Sequence, residues 1–308
     1  MDPFASLRGH RVTVVEVGPR DGLQNERAEV PTDEKIAFVD ALSRAGLPVV
    51  EVSAFVSPKW VPRMADAAEV CAGIARHPGT RYAALTPNLA GLDRAMRAGV
   101  NEVAIFAAST ETFSRRNINQ SIDESLATYG DVCRQALSAG LRVRGYLSTA
   151  FGCPFEGAVA PAVVADVAAR LLDLGVFEVA VSDTIGVAHP GQVPIVIDAV
   201  AARVPLDRMA LHFHDTRGTA LANVLAALPL GITTFDASAG GLGGCPYAPG
   251  AAGNLATEDL IYMLDGLGVV TGIDLAGVAA ASARIARWLD HPLPSRYAQA
   301  CAATAARA

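Results

Sequence analysis

Two histidines two residues apart, His212 and His214, are the most chemically pointed pair in the chain. On an extended segment, residues i and i+2 face the same side, so both imidazoles can meet one ligand. Asp21, next to Arg20, stands at the end of an earlier β-branched run. Two imidazoles and one carboxylate form a donor set for a divalent cation. Nitrogen and oxygen donors without thiolate favour an open Mg²⁺ or Mn²⁺ site over structural zinc. The bland alternative is one packed core histidine and one bonded to a loop. Arg20 can hold a carboxylate or face a developing oxyanion. It can equally pair with Glu51, and the two roles are compatible. Cys245 ends the run Gly240-Gly241-Leu242-Gly243-Gly244. So glycine-rich a loop can move and deliver one protonatable group as a general acid or base. Its alternative is a tight phosphate-binding turn with an incidental cysteine. Asp183 reads as a partner of a histidine or a substrate contact, and Asp215 as a cap for the helix that follows it.

These groups need a scaffold that brings distant positions together. Short β-branched runs recur at Arg11–Val17, Pro48–Ser53, Arg81–Leu85, Glu102–Ala107, Arg142–Leu147, Phe177–Ser182, Met209–His214 and Thr233–Ala237. Each is followed by an Ala/Leu/Arg-rich helical stretch, and several stretches end in glycine, the usual left-handed helix terminator. Eight βα units in succession predict a (β/α)8 TIM barrel. A doubly wound sheet is the competitor, but Gly18-Pro19-Arg20-Asp21-Gly22 is not the glycine fingerprint of that fold. The barrel core is expected over 11–255, with a catalytic loop at 238–254. Residues 256–308 are read as a C-terminal helical appendage within a single domain, 1–308. In such barrels function sits just past the C-terminal ends of the strands. Those positions carry Arg20 and Asp21, Glu51, Thr86 and Asn88, Ser109, Ser148 and Thr149, Asp183 and Thr184, His212 and His214, Ser238 and Asn254.

Composition excludes several classes. With 25 basic against 31 acidic residues the net charge is −6, which opposes a nucleic-acid-binding face. The mean hydropathy of +0.31 and 51% hydrophobic content suit a large core, and no apolar run reaches a membrane span. Met1–His10 contains Asp2 and no apolar core for a secretory signal. The five cysteines (Cys71, Cys133, Cys153, Cys245 and Cys301) are odd in number and widely spaced. A reduced, cytoplasmic setting is therefore expected. Only Lys35 and Lys59 are lysines, and neither falls at a strand end, so a Schiff-base mechanism has no candidate in position.

The segments Val15-Glu16-Val17-Gly18-Pro19-Arg20-Asp21-Gly22-Leu23-Gln24-Asn25-Glu26, Leu85-Thr86-Pro87-Asn88 and Arg144-Gly145-Tyr146 resemble the 3-hydroxy-3-methylglutaryl-CoA (HMG-CoA) lyase family. So do Asp183-Thr184-Ile185-Gly186, His212-Phe213-His214-Asp215-Thr216 and the glycine run ending in Cys245-Pro246-Tyr247. The resemblance spans about residues 11 to 290, with departures at Ser182, Arg217 and Ala239-Gly240. It implies a (β/α)8 barrel that cleaves the (S)-thioester to acetyl-CoA and acetoacetate, as in leucine degradation. It implies Asp21, His212, His214 and Asn254 as ligands of a divalent cation, Mg²⁺ or Mn²⁺. Arg20 would stabilise the enolate, Cys245 would transfer a proton, and Glu51 and Asp183 would support catalysis. Substrate contacts are expected at Arg20, Gln24, Ser53, Asn88, Ser148 and Thr184, with an acyl-CoA as partner and a bacterial, cytoplasmic homo-oligomer as the setting. Two other enzymes are alternatives. One is a lyase for a longer 3-hydroxy-3-alkylglutaryl-CoA such as the isohexenyl thioester; the other is a Claisen-condensing synthase of the isopropylmalate or homocitrate type, with similar Arg-Asp and His-x-His elements but without the glycine-loop cysteine. A non-catalytic acyl-CoA-binding barrel is the alternative outside enzymes.

Overall fold

The computed structural model describes residues 4–244 and 253–305. Its strands are β1 (Thr13–Glu16), β2 (Val49–Ala54), β3 (Arg81–Leu85), β4 (Glu102–Ala108), β5 (Arg142–Ser148), β6 (Glu178–Asp183), β7 (Met209–Phe213) and β8 (Thr234–Ala237). All pair in parallel and in chain order, and β1 closes on β8. This is the expected TIM barrel.

The surrounding helices are α1 (Thr32–Arg44), α2 (Ala67–Gly73), α3 (Leu89–Arg97), α4 (Glu111–Ile118), α5 (Ile122–Ser138), α6 (Pro161–Asp173), α7 (Val193–Ala201) and α8 (Ala220–Ala227). Two helices follow β4 because Asn119 turns left-handed and ends α4. Ser121 then opens α5 with a capping box, its hydroxyl accepting from the Glu124 amide while Glu124 accepts from the Ser121 amide. After the barrel come α9 (Thr257–Gly266), α10 (Leu275–Ile285) and α11 (Arg296–Ala305). They fold back onto the first βα units. The Val12 amide donates to Val270, the Asp274 amide donates to Ala45 at the end of α1, and Arg284 pairs with Glu34. No described helix is long and apolar enough to cross a membrane.

The barrel has two cores. Val14, Val50, Ala84, Leu211 and Phe235 belong to the large apolar cluster between strands and helices. Alternate residues point the other way. Val15, Val17, Val49 and Ala83 form a small separate cluster inside the barrel. Above it the interior is filled by charged and polar side chains.

Candidate active site

Arg20 and Asp21 are presented by a wide turn. The Val17 carbonyl accepts from the Arg20, Asp21 and Gly22 amides at 3.2, 2.7 and 3.1 Å, so Gly18–Gly22 is one turn of π-helix. Such turns recur at functional sites because they swing side chains out of register. Arg20 Nε donates to Glu51 Oε2 at 2.6 Å, and Nη1 donates to Asp21 Oδ1 at 2.6 Å. The salt bridge weighed as the simpler role of Arg20 thus exists beside the cavity-facing position. Burial works against its charge, but Glu51 and Asp21 outweigh that and hold the guanidinium firmly protonated. Burial likewise works to raise Asp21, yet Arg20, His212 and His214 bring its carboxyl down to about 2.

His212 and His214 face the same side of β7, as alternation requires, with ring centroids 5.1 Å apart. Their ligand atoms and a carboxylate oxygen of Asp21 lie within 4.8 Å of one another. Burial and the neighbouring His212 push His214 down to about 4, so its imidazole is neutral at physiological pH. Asn254 is carried to them by a short bridge to His214. Its amide donates to Asp21 Oδ2 and to the Leu242 carbonyl, both at 3.0 Å. This crossing needs a bare backbone: a Cβ on Gly253 would stand 2.2 and 2.4 Å from the Gly243 and Gly241 carbonyl oxygens. Among the described residues, His214 Nδ1 and Asn254 Oδ1 are buried with no partner. Unpaired buried polar atoms are costly. Beside a neutral imidazole and an ionised carboxylate, they suit a hard divalent cation.

A cavity of about 760 Å³ opens above this floor, lined by Arg20, Asp21, Gln24, Asn88, Tyr146, Ser148, Thr184, His212 and His214 among others. Gln24 Oε1 is a further buried acceptor without a partner among the described residues. Asn88 also caps α3, accepting from the Gly91 amide at 2.9 Å, and Thr184 Oγ1 accepts from the Thr149 amide at 2.8 Å. The outer wall is the α4–α5 junction, Arg116 to Gln120, facing Trp60. Neither lysine lines it. Lys35 bonds Asp66 and the Arg63 carbonyl, and Lys59 is exposed beside Trp60.

Two expected residues stand elsewhere. Ser53 does not line the cavity, and its hydroxyl contacts Met64 Sδ at 3.4 Å. Glu51 pairs with Ala83, but the register then slips and Ser53 pairs with Ala84, on the helix-facing side. This corrects its reading as a substrate contact. Asp183 is fully buried behind the wall residues Ser182 and Thr184. Ser182 is in register with His212 and faces inward, so Asp183 faces out. Its two oxygens accept the Val187 and Ala188 amides at 2.9 and 3.0 Å. Asp215 accepts from the Ala220 amide at the start of α8, the capping part expected of it. Arg217 donates to the Ile185 and Gly186 carbonyls, pinning the loop that carries Thr184. Cys245 lies outside the described residues.

Sequence reasoning missed the groups beneath the floor. The Tyr146 ring lies between two guanidinium groups, 5.4 Å from Arg20 and 5.0 Å from Arg144, and its hydroxyl donates to Glu51 at 3.2 Å. Arg144 donates from Nε to Glu178 at 2.7 Å and from Nη1 and Nη2 to Asp236 at 3.1 and 2.8 Å. Asp236 in turn lies 3.1 Å from His212 Nδ1. The available signal was three charged residues inside β-branched runs, Arg144, Glu178 and Asp236, each at an inward position of its strand.

Comparison with known proteins places the chain in a family. Residues 11–285 match the HMGL-like family model. The mitochondrial hydroxymethylglutaryl-CoA lyase of Bos taurus is 53% identical over 290 residues, covering 94% of this chain and 89% of that protein. The crystal structure of hydroxymethylglutaryl-CoA lyase from Pseudomonas aeruginosa is 52% identical, with a TM-score of 0.94 over 96% of this chain and 99% of that one. An HMG-CoA lyase from Acinetobacter baumannii, in complex with coenzyme A and 3-methylmalate, is 40% identical with a TM-score of 0.90, covering 97% of each chain. By sequence and by fold, the chain belongs to the hydroxymethylglutaryl-CoA lyase family of carbon–carbon lyases.

Proposed function

We propose that the cavity cleaves (S)-3-hydroxy-3-methylglutaryl-CoA to acetyl-CoA and acetoacetate, with Asp21, His212, His214 and Asn254 holding a divalent cation. The observation that carries the reading is a permanently charged Arg20 on the cavity wall, beside a nitrogen–oxygen donor set and with no lysine in reach. When bound, the cation supplies Lewis-acid polarisation of the substrate hydroxyl and a fixed point of chelation.

The protein groups divide the remaining work. A base at the floor takes the hydroxyl proton; the imidazoles that would hold the cation have no lone pair to spare for it, and the oxygens of Asp183 also accept from the loop after β6. Collapse of the alkoxide to the ketone breaks the C2–C3 bond and sends its electron pair to C2 as the thioester enolate. Arg20 faces that oxygen with a charge that requires no rearrangement, because Glu51 and Asp21 already fix its plane. We assign the protonation of C2 to Cys245, delivered on the glycine-rich loop. The cavity, about 760 Å³ and lined also by Asn88, Ser148 and Arg116–Gln120, would take the acyl end of the thioester.

The test is acetoacetate release from the purified protein. Release is expected only with Mg²⁺ or Mn²⁺ and to cease with a chelator; cation-independent cleavage overturns the assignment. The isohexenyl thioester in the same assay compares kcat/KM for the longer side chain. Acetyl transfer to a 2-oxo acid in place of cleavage would point to the condensing synthases.

A further inference from the structure

We propose that Asp236, held by Arg144, selects the tautomer of His212, accepting its Nδ1 proton and so leaving Nε2 free to bind the cation. This rests on the cation reading of the site. A neutral imidazole carries one proton, and the hydrogen bond made by one nitrogen decides which lone pair the other offers. An ionised carboxylate can only accept, so Asp236 Oδ2, 3.1 Å from His212 Nδ1, requires the proton there.

Two features keep that acceptor in place. His212 and Asp236 are direct register partners across β7 and β8, so the backbone ladder sets their approach. Arg144, itself only 2% exposed, grips Asp236 through both terminal nitrogens and is oriented from the far side by Glu178. A guanidinium is always charged and its fork matches a carboxylate, so Asp236 is an anion of fixed orientation. His214 differs: its Nδ1 is buried with no partner among the described residues. The protein thus fixes one histidine of the pair and leaves the other to be set by what binds. Arg144 and Asp236 do not line the cavity, so both are positioning residues.

The first test needs no variant. Histidine-selective ¹⁵N spectra of the metal-free protein, assigned by loss of one signal in His212→Gln, are expected to show His212 protonated at Nδ1. Protonation at Nε2 overturns the proposal. The second compares Mn²⁺ affinity by calorimetry in wild type, Asp236→Ala and Glu178→Gln. Loss of a histidine-orienting carboxylate typically weakens metal binding about 10- to 100-fold, and that loss is expected for Asp236→Ala. Glu178→Gln removes the other partner of Arg144 without touching His212, so it is expected to stay near wild type. Equal weakening in both variants assigns the network a purely structural part and overturns the proposal, as does wild-type affinity in Asp236→Ala. Should Asp236→Ala not fold, the wild-type spectrum decides. Wild type that shows the Nδ1 tautomer yet takes up no Mn²⁺ overturns the cation reading itself.

Discussion

Between its strands and helices the protein buries Phe38, Leu42, Val103, Leu211 and Leu264; inside the barrel it buries Arg20, Glu51, Arg144, Asp236 and His212. The outer shell gains from apolar area removed from water, roughly 25 cal/mol per Å². The interior gains little net stability, because desolvating charges costs about what their pairing returns. Its side chains form one connected path: Asp21 to Arg20, Glu51, Tyr146, then Arg144, Asp236 and His212. The two ends of that path are members of the triad that could hold a cation. Stability resides in the shell, and the interior is a preorganised electrostatic device.

The sharpest break of this contrast is Arg20→Gln. Loss of one preorganised charge at a developing oxyanion costs about 10²–10³ in turnover. At least that loss in kcat per folded molecule is expected, checked by coupled CoA assay, together with a lowered melting temperature because Glu51 loses its buried partner. Leu211→Ala probes the other side of the same ladder, one residue from His212. It is expected to cost about 3 kcal/mol of unfolding free energy in urea while kcat per folded molecule holds within about twofold. An inner variant that keeps full turnover, or an outer one that stops it, would collapse the division.

Glu16 sits on the boundary and sharpens it. Facing outward from β1, it accepts the Gly18 and Ala239 amides at 2.8 Å and the Thr257 hydroxyl at 2.7 Å, tying the first turn to the base of the glycine loop. Burial raises its carboxyl from 4.5 to about 7. The folded state therefore holds this proton more tightly than the unfolded chain. Its contribution is full below the unfolded value and is lost as pH rises through about 7. Between about pH 5.5 and 8, wild type is expected to lose about 2 kcal/mol relative to Glu16→Gln. Urea titrations at the two pH values check this, and parallel curves for the two proteins would place the charge elsewhere.

Much of this was legible in the sequence, for identifiable reasons. The shell announces itself by period: β-branched runs alternating with helical stretches gave eight strands within one or two residues of their observed ends. Arg20, Asp21, His212 and His214 were legible because a strand end in a barrel is a functional position by construction. Ser53 misled on the same rule, because a register slip with no local sequence mark turns it outward. Asp183 stands behind the wall, its oxygens on the amides of the loop after β6. Arg144, Tyr146 and Asp236 lie inside strands, where reading favours packing, and their charges pair across strands far apart in the chain. The Arg116–Gln120 wall was hidden because one helix was expected where Asn119 divides two.

The sharing of Arg144 has a consequence for how such a barrel can change over generations. Glu178 and Asp236 both draw on the one guanidinium, and His212 draws on Asp236. Exchanging Arg144 strands two buried carboxylates, at a cost of about 3–5 kcal/mol, and exchanging Asp236 leaves His212 Nδ1 without its partner. Those two positions can therefore drift only with coordinated replacement on the neighbouring strands, while Glu178 can change alone. Leu211 and its neighbours, which exchange volume for volume, are free to wander.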